Sequence, residues 1–242
     1  MQVQPYVAMS GQMTLEKRMN SIALNVANMN TVGYRAAAIT FHTMTAPSGD
    51  DTIAYATSGK EYISQAQGPL IKTGNPLDIA VQGEGWFAID TPAGTAYTRD
   101  GRMQMQPNGS LQTLNGYSVL DAGGAPIQLD PNNGPPEITR DGMVHQAGRD
   151  LGAVGLFEIP SNANFTRYDN SAVIPDQAAT PVLNFDNNGV IQGHVEGSNV
   201  NPILELSKLM TISRAVESIS NASQSSESTL RDAVKTLGDM TS

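Results

Sequence analysis

Cysteine is absent from the 242 residues. That removes disulfides, thiolate nucleophiles and thiolate metal ligands. The absence suits a life outside the cytoplasm but occurs inside it too. Aromatic residues make up 5% of the chain, with a single tryptophan, while glycine, asparagine, serine and threonine are abundant. Such a composition favours turns and polar surface over a dense catalytic core. Positive charge is scarce: 14 Lys and Arg stand against 23 Asp and Glu, for a net charge of −9. Without a basic stripe, nucleic acid and anionic lipid are poor partners. No apolar run reaches about 18 residues, so direct membrane insertion is not expected. Residues 1–10 lack a basic segment followed by an apolar core, so no cleavable secretory signal is expected.

What is present begins with an N-terminal helix. Leu15, Met19, Ile22, Val26 and Met29 are spaced 4, 3, 4 and 3, the period of a coiled-coil seam. Only Glu16, Lys17 and Arg18 are charged before residue 35. A helix face meant for water usually carries more charge, so the remaining faces suit packing against neighbours. The stretch "NVANMNTVGY" follows, with asparagines at 25, 28 and 30. An amide buried without partners costs roughly 1–3 kcal/mol. Asn25 and Asn28 therefore read as lateral contacts in a larger assembly or as solvated side chains. Asn30 to Gly33 should end the helix.

Residues 35–75 are irregular or extended, with some strand pairing. From 76 to 197 the pattern is β. "LDIAVQ" alternates and "GWFAID" is a short apolar run. Asp100-Gly101, Asn108-Gly109 and Asn115-Gly116 sit between short strands and predict hairpin turns. "EITRDGMVHQAG" and "AVGLFEI" read as strands, "FTRYDNSAVIPDQAATP" as a loop, and "NFDNNGVIQGHVE" as a last hairpin. Residues 198–242 form a second long helix. Asn201 caps it, Pro202 takes the first helical position, and Glu205 lies in the first turn. Leu209, Ile212, Val216, Ile219, Leu230 and Leu237 sustain heptads over about 30 residues, roughly 45 Å. Ser223 and Ser226 make a polar notch, either a weak spot or a register mark. The fold class is α+β: terminal helices pairing as a coiled-coil-like unit, with a central, mostly antiparallel β domain.

The sequence holds no catalytic, cofactor-binding or metal-ligating constellation. His42, His145 and His194 are scattered, with no paired spacing. No nucleophile elbow or phosphate-binding loop occurs. "GEGW" supplies only turn glycines beside Trp86. "NFDNNGVIQGHV" imitates the start of a calcium loop, but Val195 stands where the bidentate glutamate belongs.

Three segments carry a resemblance. "ALNVANMNTVGYRAAAITF" (23–41) resembles the N-terminal signature of bacterial flagellar axial proteins, which build rod and hook. "TGNPLDIAVQGEGWFAI" (73–89) with "YTRDGRMQMQPNGSLQTLNGYSVL" (97–120) resembles their β-domain signature. "QGHVEGSNVNPILELSKLMTISRAVES" (192–218) resembles their C-terminal one. The three occur in the family's order and cover most of the chain. Among the members, the proximal rod subunits match best, and the distal rod subunit is the rival.

The resemblance implies a structural subunit, not an enzyme, and no cofactor. It implies export through the flagellar type III apparatus without a cleaved signal, and assembly into the rod that crosses the periplasm. The shaft transmits torque from motor to hook. Its partners are copies of itself and neighbouring proximal and distal rod subunits. The assembly residues would be Leu15, Met19, Ile22, Asn25, Val26, Asn28, Met29, Asn30 and Gly33. Their counterparts would be Asn199, Asn201, Leu209, Ile212, Val216, Ile219, Leu230, Val234 and Leu237. The free subunit would keep both helices largely unfolded until incorporation. The competing class is a secreted β-domain binding module, or a carbohydrate-active enzyme, dimerised by its helices.

Overall fold

The computed structural model describes the backbone of residues 3–48, 51–56 and 59–239. Side chains are described from residue 9 onward, save those of 43, 44, 46–48, 51–56, 223, 226, 227, 230, 233, 234 and 237–239. The chain divides into two compact units, one from residues 1–27, 37–62 and 201–242, the other from 28–36 and 63–200.

The first unit holds the two helices, α1 (Val3–Ala27) and α2 (Pro202–Asp239), which pack against one another. The cap of α2 forms as its sequence directs. Asn201 Oδ1 accepts from the Leu204 N–H at 3.1 Å, and the Asn201 carbonyl accepts from the Glu205 N–H at 3.0 Å. Strand Ala37–Thr40 pairs with Lys60–Ile63. Thr43–Ser48 and Asp51–Ala56 form an antiparallel hairpin in register from Thr43↔Ala56 to Ser48↔Asp51.

α1 stops at Ala27, earlier than the stop expected at Asn30 to Gly33. In the turn that follows, the Asn28 carbonyl accepts from the Thr31 N–H at 3.1 Å, and Asn28 Oδ1 accepts from the Thr31 hydroxyl at 3.0 Å. Asparagine offers its neighbours an alternative to helical hydrogen bonding, so the chain turns at Asn28.

The second unit is β throughout, and its strand pairs are all antiparallel. Strand Trp86–Thr91 runs through a nine-stranded sheet, flanked by Gly94–Thr98 on one side and by Ser118–Val119 and Leu156–Glu158 on the other. Glu137–Ile138, Met143–Gln146 and Arg149–Ala153 make a separate three-stranded sheet. The core between them includes Ile79, Val81, Phe87, Leu111, Val119, Val144 and Leu156. Strict alternation fails in Ile79–Gln82 and Trp86–Thr91, where successive residues are buried on both faces.

Two of the three expected Asx-Gly hairpins form. Asn108-Gly109 turns Met103–Met105 into Leu111–Thr113, and Asn115-Gly116 turns that strand into Ser118–Val119. Asp100-Gly101 does not make one. Gly101 exchanges backbone contact with Ile79 instead, accepting its N–H at 2.9 Å; a Cβ on Gly101 would fall 1.6 Å from the Ile79 carbonyl oxygen. The glycine there permits close approach of two backbones rather than a tight turn.

Two further expectations are corrected. Residues 165–175, expected as a loop, form the hairpin Phe165–Tyr168 with Ala172–Pro175, turned by Asp169 in the left-handed region at φ 57°. Aspartate tolerates that conformation, but it gives a fainter signal than glycine. The final hairpin expected over 184–196 does not close on itself. Gly189–Gln192 pairs with Ile79–Gln82, and His194–Glu196 with Leu70–Lys72. A single residue, Gly193, separates the two strands, too little for a hairpin loop.

Candidate assembly interface

In the helical unit the seam positions face inward. Ile22 and Ile212 are buried, and Leu15, Met19, Val26, Leu209, Val216 and Ile219 are half-buried. The helices run antiparallel. Asn25 meets Glu205, and one Cβ's width from Gly11 lies Ile219 Cδ1, at 3.8 Å. The side chains of Leu230, Val234 and Leu237 lie outside those described, as do those of Ser223 and Ser226.

Asn25 is 2% exposed, and its amide is used inside the chain. Its Nδ2 donates to the Ala37 carbonyl at 2.8 Å and to Glu205 Oε2 at 3.2 Å, while its Oδ1 accepts from the Ala37 N–H at 2.9 Å. The side chain thus pairs with one backbone residue as a neighbouring strand would. Asn28 is buried too. Neither is a solvated side chain. The chain doubles back at the helix end, and the buried backbone of Ala37 has to be paired. Asn30 is exposed.

The exits of both helices belong to the β unit, and a second asparagine works there in the same way. Asn199 Oδ1 accepts from the Ala36 N–H at 2.7 Å, and its Nδ2 donates to the Ala66 carbonyl at 2.7 Å. Gly33 has φ 70°, donates its N–H to the Glu196 carbonyl at 2.7 Å, and leaves 2.2 Å between a Cβ and the Asp100 nitrogen. Only glycine fits.

Under these exits lies an ion cluster that charge and spacing in the sequence did not reveal. Glu196 Oε1 faces Arg35 Nη2 at 2.8 Å, and Glu196 Oε2 faces Arg99 Nη1 at 3.0 Å. All three residues are at most 2% exposed. Glu196 Oε1 also accepts from the Gly68 N–H at 2.9 Å, and Arg35 donates to the carbonyls of Gln65 and Ala66. The Trp86 ring has Arg35 at 5.6 Å and Arg99 at 5.4 Å from its centre. Burial, with the like charge of Arg99, lowers the Arg35 pKa to about 10, against the pull of Glu196. Burial lowers that of Arg99 as well. Arg167 stacks over Tyr34 at 4.4 Å and donates to the Arg35 carbonyl at 2.8 Å. The available signal was a charge placed inside a run of otherwise buried residues, as in "HVEGSN" and "YTRDG".

The sides of α1 and α2 turned from the buried seam mix polar residues with exposed large apolar ones. On α1, Met9, Met13 and Leu24 are exposed on one side. On α2, Ile203, Leu206 and Met210 are exposed at spacings of 3 and 4, and Leu204 is exposed about 100° further round the helix. Large apolar side chains left exposed on a helix mark it as able to take a further partner.

Nothing in the β unit assembles a reaction centre. His145 Nδ1 lies 2.6 Å from Asp150 across a turn, and His194 Nδ1 lies 2.9 Å from the Gln192 carbonyl. Among the described residues no three His, Cys, Asp or Glu side chains could hold a metal, and no helix is long and apolar enough to cross a membrane.

Comparison with known proteins fits this geometry. Residues 6–35 match the model of the flagella basal body rod protein. Residues 80–146 match that of the flagellar hook protein FlgE/F/G D1 domain, and 191–236 that of the flagellar basal body rod FlgEFG protein C-terminal. The flagellar basal-body rod protein FlgF of Mesorhizobium japonicum is 49% identical over 98% of this chain and 99% of its own. FlgF of Rhizobium meliloti is 45% identical over the same shares. The flagellar basal-body rod protein FlgG of Bacillus subtilis reaches 29% over 95% of this chain and 97% of its own. The chain belongs to the flagellar basal-body rod proteins, a structural family, and is of the FlgF type.

Proposed function

We propose that this chain is a proximal subunit of the flagellar basal-body rod, built into the shaft through its two terminal helices. The observation that carries the reading is the set of large apolar side chains left exposed on each helix: Met9, Met13 and Leu24 on α1, and Ile203, Leu206 and Met210 on α2. The seam formed by Leu15, Met19, Ile22, Val26, Leu209, Ile212, Val216 and Ile219 pairs in coiled-coil fashion within one chain. The outer sides then pack against neighbouring proximal and distal rod subunits and against further copies of this chain. Contacts of this kind are head-to-tail and do not close, so they extend a shaft. The shaft crosses the periplasm and passes torque from motor to hook, and the chain reaches it by type III export without a cleaved signal. The match to FlgF relatives at 45–49% against 29% for FlgG favours the proximal position over the distal one.

Replacing Leu206 and Met210 by lysine tests the reading. The expected result is an unchanged melting temperature with loss of motility and of the subunit from purified basal bodies. Normal motility in the variant would overturn it.

A further inference from the structure

With no cysteine in the chain and its one tryptophan 4% exposed, oxidative chemistry has few places to go. Methionine is plentiful, at 11 residues, and its exposure is uneven. Met9, Met13 and Met210 are 55%, 54% and 57% exposed, whereas Met103 in the β core is 3% exposed. Met19, Met29, Met105 and Met143 are half-buried. Among the described residues, the three exposed thioethers all lie on sides of α1 and α2 turned from the buried seam.

We propose that Met9, Met13 and Met210 are oxidation sites whose conversion to the sulfoxide blocks assembly of the subunit. The part concerning assembly rests on the function proposed above. The oxidant is hydrogen peroxide reaching the free subunit. The thioether sulfur takes one oxygen atom and gives two electrons; the peroxide O–O bond breaks and the other oxygen leaves as water. The product carries a strongly polar S=O where an apolar, flexible side chain stood. Each outer side would then present a polar dipole to a dry contact with a neighbouring copy or rod subunit, without a partner designed for it. The seam of Ile22 and Ile212 is untouched, so the subunit stays folded while its docking side is spoiled. Once packed into the rod, the same methionines are covered and escape the oxidant. Sulfoxide is reducible by enzymes, so the block is reversible.

The test uses the full-length purified chain and a hydrogen peroxide pulse. Peptide mass mapping follows each methionine. Binding to itself and to the other rod proteins of the same bacterium is measured on an immobilised chain. Met9, Met13 and Met210 are expected to gain oxygen about tenfold faster than Met103. Binding is expected to fall in step, to return after treatment with methionine sulfoxide reductases, and to resist peroxide in a Met9→Leu, Met13→Leu, Met210→Leu chain. Equal oxidation of Met103, unchanged binding by oxidised chain, or undiminished peroxide sensitivity in the leucine variant would each overturn the proposal. If untreated chain bound no rod protein at all, the assembly reading would fall, while the order of oxidation would still be read directly from the mass map.

Discussion

At the residue scale, polar side chains do structural work that apolar ones could not. Asn25 pairs both polar groups of Ala37. Asn25→Leu removes that pairing, leaving the buried Ala37 N–H without its acceptor and the Ala37 carbonyl with only the Ser21 hydroxyl at 3.3 Å. Unfolding by denaturant should show a loss of about 1–3 kcal/mol; an unchanged midpoint would contradict this role. Glu196 is the larger case. Two arginines buried around one carboxylate are tolerable only while the carboxylate is charged and in place. Glu196→Gln should cost about 3–5 kcal/mol, read as a lower melting temperature of the β unit by calorimetry. Arg35→Met alone should be less severe, since it removes one buried charge and leaves Arg99 with Glu196. If the arginine variant proved the more damaging, the cluster would not be governed by charge balance.

At the element scale, the helices answer to caps and seams. Asn201→Ala deletes the side-chain acceptor for the Leu204 N–H and should cost about 1 kcal/mol, seen as earlier thermal loss of helical circular dichroism. Ile212→Ala opens the buried seam and should cost about 2–5 kcal/mol by the same measurement. Much of this level was legible in the sequence. The heptad spacing included Ile22 and Ile212, which are buried, and Asn201-Pro202 placed the start of α2 to the residue. Asn108-Gly109 and Asn115-Gly116 placed their turns. What was not legible has a physical cause in each case. Asp100-Gly101 looks like its two neighbours locally, and only the approach of the Ile79 backbone distinguishes it. The hairpin turned by Asp169 lacks the glycine that marks such turns. The strands after residue 188 pair with residues 70–82, more than a hundred positions away, and local pattern carries no trace of that. The ion cluster is of the same kind: Arg35, Arg99 and Glu196 meet only after the chain has folded.

At the scale of the whole molecule, the two units have different demands. The β unit buries its own core and has its polar exits tied down. The helical unit buries Ile22 and Ile212 and leaves large apolar side chains exposed on each helix, which suits a part meant for a polymer. Packing Ile22 and Ile212 within one chain gives the helices a contact that does not wait for neighbours. Amide hydrogen exchange on the free subunit should therefore show protection around residues 19–26 and 205–216 that exceeds the rest of the helices. Uniform, complete exchange along both would mean that even this contact forms only on incorporation. The absence of native cysteine makes crosslinking clean, because any introduced thiol is the sole one. The most direct measurement places cysteine at Met13 or Met210 in turn and treats assembled basal bodies with a short bifunctional thiol-to-amine reagent. The account predicts crosslinked bands joining this chain to another copy or another rod subunit from both positions, and none from a control cysteine replacing the buried Met103. Bodies that contain the subunit but yield no product from Met13 or Met210 would contradict it.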